Sequence, residues 1–245
     1  MNISAPIFDR DLVRRHIVRA EAGFARHDVL FRETETEIRE RIADVKRDFP
    51  RALDLSPFPF LENAERAPDE ETLSVELESF DLVVSNLSLH WVNDVAGALV
   101  RIRAALKSDG LFLAALIGGE SLRELRACLM DAELSVSGGV SPRLSPTIDL
   151  TGAGALMRHA GFALPVVDKE RVMLRYPDMF ALMRDLRGTG QTAAHLERPR
   201  RFTRRAVFFE AARLYRERFG DSEGRIPATF DIIYLHGWKQ AAIVS

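Results

Sequence analysis

Cysteine occurs once, as Cys128, in a chain of 245 residues. No intramolecular disulfide is possible, and a single thiol fits a reducing compartment, so the expected location is cytoplasmic. Long apolar runs are missing too. The longest is Leu111–Ile117, too short to span a membrane. Charged residues from Asp9 onward leave no apolar core for a secretion signal. Charge of one sign is not in excess: 34 Lys+Arg stand against 36 Asp+Glu, for a net charge of −2. A general nucleic-acid binder carries a dominant basic footprint, so no nucleic-acid partner is expected. No His/Cys/Asp grouping has metal-ligand spacing, and a lone cysteine argues against structural zinc, so no metal is expected. Neither a Gly-x-Ser-x-Gly elbow nor a Walker loop occurs.

What is present is enough apolar material for a core. Hydrophobic residues make up 47% of the chain, which excludes wholesale disorder. The length predicts a single α/β domain over 1–245, with a helical N-terminal cap at 1–50 and an α/β core at 51–245. In the cap, Ile38, Ile42 and Val45 fall at helical spacing, and Phe49-Pro50 marks the expected helix end. Phe80–Ser85 reads as a buried strand. Val95–Leu106 reads as a helix, Lys107–Gly110 as a turn, and Leu111–Ile117 as a second buried strand. Strand, helix, turn and strand make a βαβ unit. Further on, Glu120–Leu134, Leu150–His159 and Asp178–Leu186 read as helices. Ala163–Tyr176 reads as one or two strands, and Thr229–Leu235 as a closing strand expected to pair antiparallel with it.

The segment FDLVVSNLSLHWVNDV (Phe80–Val95), followed by ALVRIRAALKSDGLFLAAL, resembles class I S-adenosylmethionine-dependent methyltransferases. Leu89-His90-Trp91-Val92 is similar to the biotin-pathway carrier-protein methyltransferases. It resembles more closely the methyltransferase-like assembly factors of respiratory complex I. Ile7–Arg10, the GGESLRELR run at 118–126 and Tyr234–Trp238 resemble that second branch as well. The resemblance implies a Rossmann-like doubly wound sheet, with N-terminal helices and helical insertions. It implies S-adenosylmethionine as cofactor and methyl transfer to a small-molecule or protein acceptor. In the assembly-factor branch it implies arginine hydroxylation of a protein or a chaperone-like role. A degenerate domain without ligand is the third reading.

The resemblance places cofactor contacts at Asp54, Asp69, Glu70, Ser85, Asn86 and Leu87. Asp54 would end the first strand and meet the methionine ammonium, although a turn-capping aspartate would look the same. Asp69 and Glu70 match the acidic motif that reaches the adenine edge, in a stretch whose charges otherwise read as a solvated face. Ser85–Leu87 fall at the carboxyl end of a central strand, where ligands of open α/β sheets gather. His90 is a weak catalytic candidate, and Trp91 reads as core. One departure is large. No glycine occurs between Gly23 and Gly97, and Ser56-Pro57-Phe58 stands where a glycine-rich loop is expected. Part of the first βαβ unit is missing between 55 and 69, since such a unit needs about 30 residues. Either the sequence omits a mobile segment there, the favoured expectation, or the chain is short. Finally, eight arginines between Arg198 and Arg218 could dock an acidic protein partner or form a solvated helix face.

Overall fold

The computed structural model describes residues 5–67, 69–141, 147–199 and 202–240. Seven α-helices are described: α1 (Arg10–Glu21), α2 (Val29–Asp44), α3 (Val95–Ala105), α4 (Arg123–Ser137), α5 (Leu150–His159), α6 (Met179–Gly188) and α7 (Arg205–Phe219). Six strands accompany them: β1 (Ala52–Asp54), β2 (Glu65–Arg66), β3 (Phe80–Asn86), β4 (Leu106–Gly118), β5 (Ala163–Tyr176) and β6 (Ile226–Trp238). Four helices begin at an aspartate whose carboxylate accepts the N–H three residues on: Asp9 from Leu12, Asp94 from Gly97, Asp149 from Gly152 and Asp178 from Ala181. Each cap contributes about 1 kcal/mol. The helix expected to reach Phe49 stops at Asp44, because Lys46 takes a left-handed φ of 53° and turns the chain out.

The strands form one sheet in the order β2-β1-β3-β4-β6-β5. β1 runs parallel to both β2 and β3, and β3 runs parallel to β4. The order reverses at β1 and β3, which is the switch point of a doubly wound sheet. The turn expected at Lys107–Gly110 is instead a bulge inside β4. Between the pairs Phe80↔Leu106 and Leu82↔Leu111 the register shifts, and Asp109 takes φ 62°. Lys107 uses the bulge to reach the Asp81 carboxylate at 2.9 Å. β5 is one continuous strand, and β6 lies beside it.

The chain forms two compact units. One consists of Val29–Gly119, Thr147–Glu170 and Ile232–Ser245, the other of Met1–Asp28, Glu120–Pro146 and Arg171–Asp231. The first holds the main apolar cluster, in which Leu53, Val83, Leu99, Ile102, Phe112 and Ile233 are all essentially inaccessible. Each such side chain contributes about 1.5–3 kcal/mol on burial. α2 is fastened in this unit by Arg41, which grips Asp168 with two hydrogen bonds of 2.7 and 3.1 Å and lies 4.5 Å above the Tyr234 ring.

In the second unit, α1 packs on α6, and α4 and α6 pack on α7. Glu124 accepts from Thr229 Oγ1 at 2.6 Å, and Arg171 meets the buried Asp231 at 2.7 Å. Cys128 is buried there, which pushes its thiol up to about 11 and leaves it unreactive at neutral pH. His16 is also buried, with Nδ1 2.8 Å from Thr192 Oγ1. Burial, helped by nearby Arg19, lowers its pKa from 6.5 to about 4. The neutral imidazole is therefore the folded form, while the unfolded chain takes up a proton near pH 6.5. We predict that stability is full above pH 6.5 and falls as pH drops from there toward 4. The loss should be on the order of 2–3 kcal/mol. Urea midpoints measured across this window should fall for the wild type and fall less for His16→Gln. Parallel curves would contradict this account.

Candidate functional site

The carboxyl ends of β1 and β3 lie side by side in the first unit, and the polar residues singled out from the sequence meet there. Asp54 ends β1 with no exposed surface. Its Oδ1 accepts from Ser56 N at 2.9 Å, and its Oδ2 accepts from Phe60 N at 2.8 Å and Leu61 N at 3.1 Å. One carboxylate thus serves three backbone donors of the segment that follows it. This segment, residues 55–64, leads directly into β2 without a helix. Over these residues the connection between the two strands is compact. Pro57 and Pro59 offer no N–H, and the three that converge on Asp54 come from Ser56, Phe60 and Leu61.

Ser56 links the two strand tips. Its hydroxyl accepts from Asn86 N at 2.9 Å, while Leu55 N donates to Val84 O at 2.9 Å. The Asn86 side chain donates from Nδ2 to the Phe31 carbonyl of α2 at 3.2 Å. Its Oδ1 is buried and has no partner among the described residues. Phe31 in turn stands edge-on to Phe58, with ring centroids 5.5 Å apart. Leu87, the next residue, is fully buried at φ 51° and donates its N–H to Ala115 O at 2.8 Å. A left-handed leucine is strained by on the order of 1 kcal/mol or more, and such strain gathers at ligand sites.

Ser85 and Glu70 form the second part of the cluster. Ser85 Oγ donates to Glu70 Oε1 at 3.0 Å, and both residues are buried. Asp69, also buried, accepts from Glu71 N at 2.9 Å, and Glu71 accepts from Asn93 N at 3.3 Å. The acidic pair therefore points inward and is not part of a solvated face. Asp81 sits apart, at the start of β3, where it accepts from Arg51 N at 3.0 Å. His90 lies in the one-turn helix Leu89–Trp91, with Nδ1 3.4 Å from Ile117 N and its ring 5.2 Å from that of Trp91. Trp91 is buried, as its apolar setting predicts. Among the described residues, no group of three or more His, Cys, Asp or Glu is placed to hold a metal ion. None of the described helices is long and apolar enough to cross a membrane.

Ser56, Phe31 and Phe58 were not foreseen as part of this site. Ser56 carried a signal all the same: a serine two residues after an aspartate at a strand end is the pattern of an Asx-type turn. The contribution of Phe31 comes through its backbone carbonyl and leaves no trace in sequence.

Residues 51–114 match the family described as "Methyltransferase domain". The human protein named arginine-hydroxylase NDUFAF5, mitochondrial, is 37% identical over 95% of this chain and 77% of its own length. Its zebrafish counterpart is 36% identical over 95% of this chain and 83% of its own. The chain belongs to the class I methyltransferase family, in the branch of the NDUFAF5 proteins. A malonyl-[acyl-carrier protein] O-methyltransferase from Methylovorus is 35% identical over 72% of the chain and 57% of its own length. A crystal structure of a candidate methyltransferase from Bacillus halodurans shares the fold, with a TM-score of 0.51 and 13% identity over 82% of this chain and 97% of that one.

The alignment with NDUFAF5 runs over 266 positions, more than the 245 residues of this chain. At least 21 positions of that relative therefore have no counterpart here. The connection from β1 to β2 is where a class I fold would carry further chain. The three N–H groups on Asp54 make this connection a unit. Asp54→Ala would leave one buried and two half-buried donors without this acceptor, at a cost of about 1–3 kcal/mol for each one not reached by water. We predict a net loss of about 2–5 kcal/mol, read from urea midpoints. A loss below about 1 kcal/mol would show that the connection does not depend on the carboxylate.

Proposed function

We propose that this class I methyltransferase is an S-adenosylmethionine-dependent enzyme acting on a protein or small-molecule acceptor, with its cofactor across the tips of β1 and β3. The observation that carries this reading is the Asn86 side chain: a buried acceptor atom without a partner among the described residues, at the switch point of the sheet. A buried polar atom left unsatisfied costs about 1–3 kcal/mol, and a donor on a ligand would relieve it. The inward-facing Asp69 and Glu70 and the strained Leu87 support the same place. In this reading Ser85, Asn86 and Leu87 line the cofactor, Asp69 and Glu70 receive its adenosine end, and Asp54 receives its ammonium group. His90 remains the weak candidate for a base on the acceptor side. When bound, the cofactor would supply a sulfonium methyl group for in-line transfer. The protein's own task is then positioning, which needs no catalytic triad.

Asp54 sets the cost of binding. A carboxylate offers about four acceptor positions, and three are taken by its own loop. The residues fit the adenosine end as they stand. The methionine end requires the 55–64 connection to shift, and affinity is reduced by the fraction of molecules in the shifted state. The single inert thiol supports placement in a reducing compartment, the cytoplasm in this proposal.

A second reading, hydroxylation of an arginine in a protein acceptor with a role in assembly of respiratory complex I, is favoured by the extent of similarity. The human and zebrafish NDUFAF5 relatives cover 95% of this chain, against 72% for the malonyl-carrier enzyme. The two readings differ in the mass added to the acceptor, one methylene or one oxygen. Calorimetric titration with S-adenosylhomocysteine tests the cofactor site itself. Binding should be measurable in the wild type and weakened at least about tenfold in Asn86→Leu, while the variant without ligand unfolds cooperatively. No binding by the wild type would leave a domain that keeps the family's shape without its ligand.

A further inference from the structure

The arginines between Arg198 and Arg218 fall into distinct groups. Arg198 is held by Asp9 and by the His195 carbonyl, Arg213 by Glu210 and Glu217, and Arg218 by Asp131. Arg200 and Arg201 lie outside the described residues. Arg204, Arg205 and Arg216 are exposed and meet no carboxylate among the described residues. Arg184 of α6 is in the same condition.

These cations alternate with exposed aromatic surface. Val207, Ala211 and Tyr215 form the buried face of α7. Positions 205, 209, 213 and 216 fall on the opposite face, at spacings of about one turn. Phe209 is 57% exposed on that face, where a buried phenylalanine would have been expected to stabilise the unit. Its ring stands edge-to-face on Phe180 of α6 at 5.9 Å and beneath the Arg205 guanidinium at 5.6 Å. Phe202, just before α7, is fully exposed. Arginine and aromatic residues are the types enriched where partners bind. A guanidinium stacked on a ring keeps its N–H edge free and is held in place for a planar, two-point grip on a carboxylate.

We propose that this α6–α7 face is a docking site for an acidic segment of a partner protein that carries apolar side chains between its carboxylates. Charge complementarity names the occupant: Arg205 and Arg216 stand at the two ends of the stripe without counterions. Between them Arg213 is already engaged by both Glu210 and Glu217, and apolar Phe209 fills the interval. A carboxylate–apolar–carboxylate spacing matches that pattern. A nucleic acid does not, because its affinity grows with the number of phosphates neutralised, and among the described residues this stripe leaves only Arg205 and Arg216 uncommitted. The Phe209 ring, engaged by both Phe180 and Arg205, offers no free platform for a base.

Fluorescence anisotropy with a labelled peptide of alternating glutamate and phenylalanine tests the proposal on the full chain without cofactor, so its result is independent of the cofactor reading. The wild type should bind, with affinity falling as salt rises. The double variant Arg205→Ala/Arg216→Ala and the single variant Phe209→Ala should each weaken binding about tenfold or more. All these side chains are exposed, so thermal unfolding should change little. Equal binding by the variants would overturn the proposal, as would equal binding of a lysine–phenylalanine peptide. Loss of oligouridylate or phosphatidylserine-vesicle binding in the double variant, where the peptide does not bind, would assign the face to nucleic acid or membrane instead. Sedimentation showing wild-type self-association that the double variant abolishes would assign it to a second copy of the chain.

Discussion

Three backbone N–H groups converge on the buried carboxylate of Asp54, and the path of the chain from β1 to β2 depends on that convergence. Parallel strands are ordinarily joined by a dozen residues or more, usually through a helix. Here residues 55–64 make the join, ten in all. Without a helix, these residues cannot satisfy their own donors, and a buried donor must find an acceptor. Asp54 supplies it for three of them. Ser56 then ties the same tip to Asn86, so β1 and β3 are fixed at the point where the sheet order reverses.

Polar groups gather at these two strand tips although the connection between β1 and β2 holds no helix. β3 and its flanking loops supply a polar strand tip, a left-handed residue after it, and an inward-facing acidic pair. Glycines that would let a backbone approach a ligand closely give way to two prolines and a phenylalanine, and Phe58 packs on Phe31 of α2. The strand-end aspartate bears out its turn-capping reading. It caps a turn now, and one acceptor position of about four remains for a ligand.

Much of the fold was legible because its elements carry strong periodic signals. β3, α3 and α5 sit within a residue or two of where apolar spacing places them, since buried strands and amphipathic helices advertise their period. The end of α2 was misjudged. Pro50 is a visible stop, but the helix gives way earlier at Lys46, whose left-handed backbone has no compositional mark. The bulge in β4 read as a turn because Lys-Ser-Asp-Gly is turn chemistry in either setting. In the site, residue types were visible and pairings were not. That Glu70 meets Ser85, or that Asn86 reaches the carbonyl of Phe31, depends on segments brought together by folding. The arginine stretch was visible as charge alone, and only the contacts separate the arginines that are committed from those that are not.

In the proposed reading the ligand opens the Asp54 connection when it binds, and hydrogen exchange with and without S-adenosylhomocysteine addresses this directly. The amides of Ser56, Phe60 and Leu61 should lose protection at saturating ligand, because the carboxylate that accepts them is taken, and residues 85–87 should gain it, while Leu111–Ile117, already deep in the sheet, should change little. Protection that is slow without ligand and unchanged by it would mean that the connection is closed for good, and would contradict a cofactor site at the tips of β1 and β3.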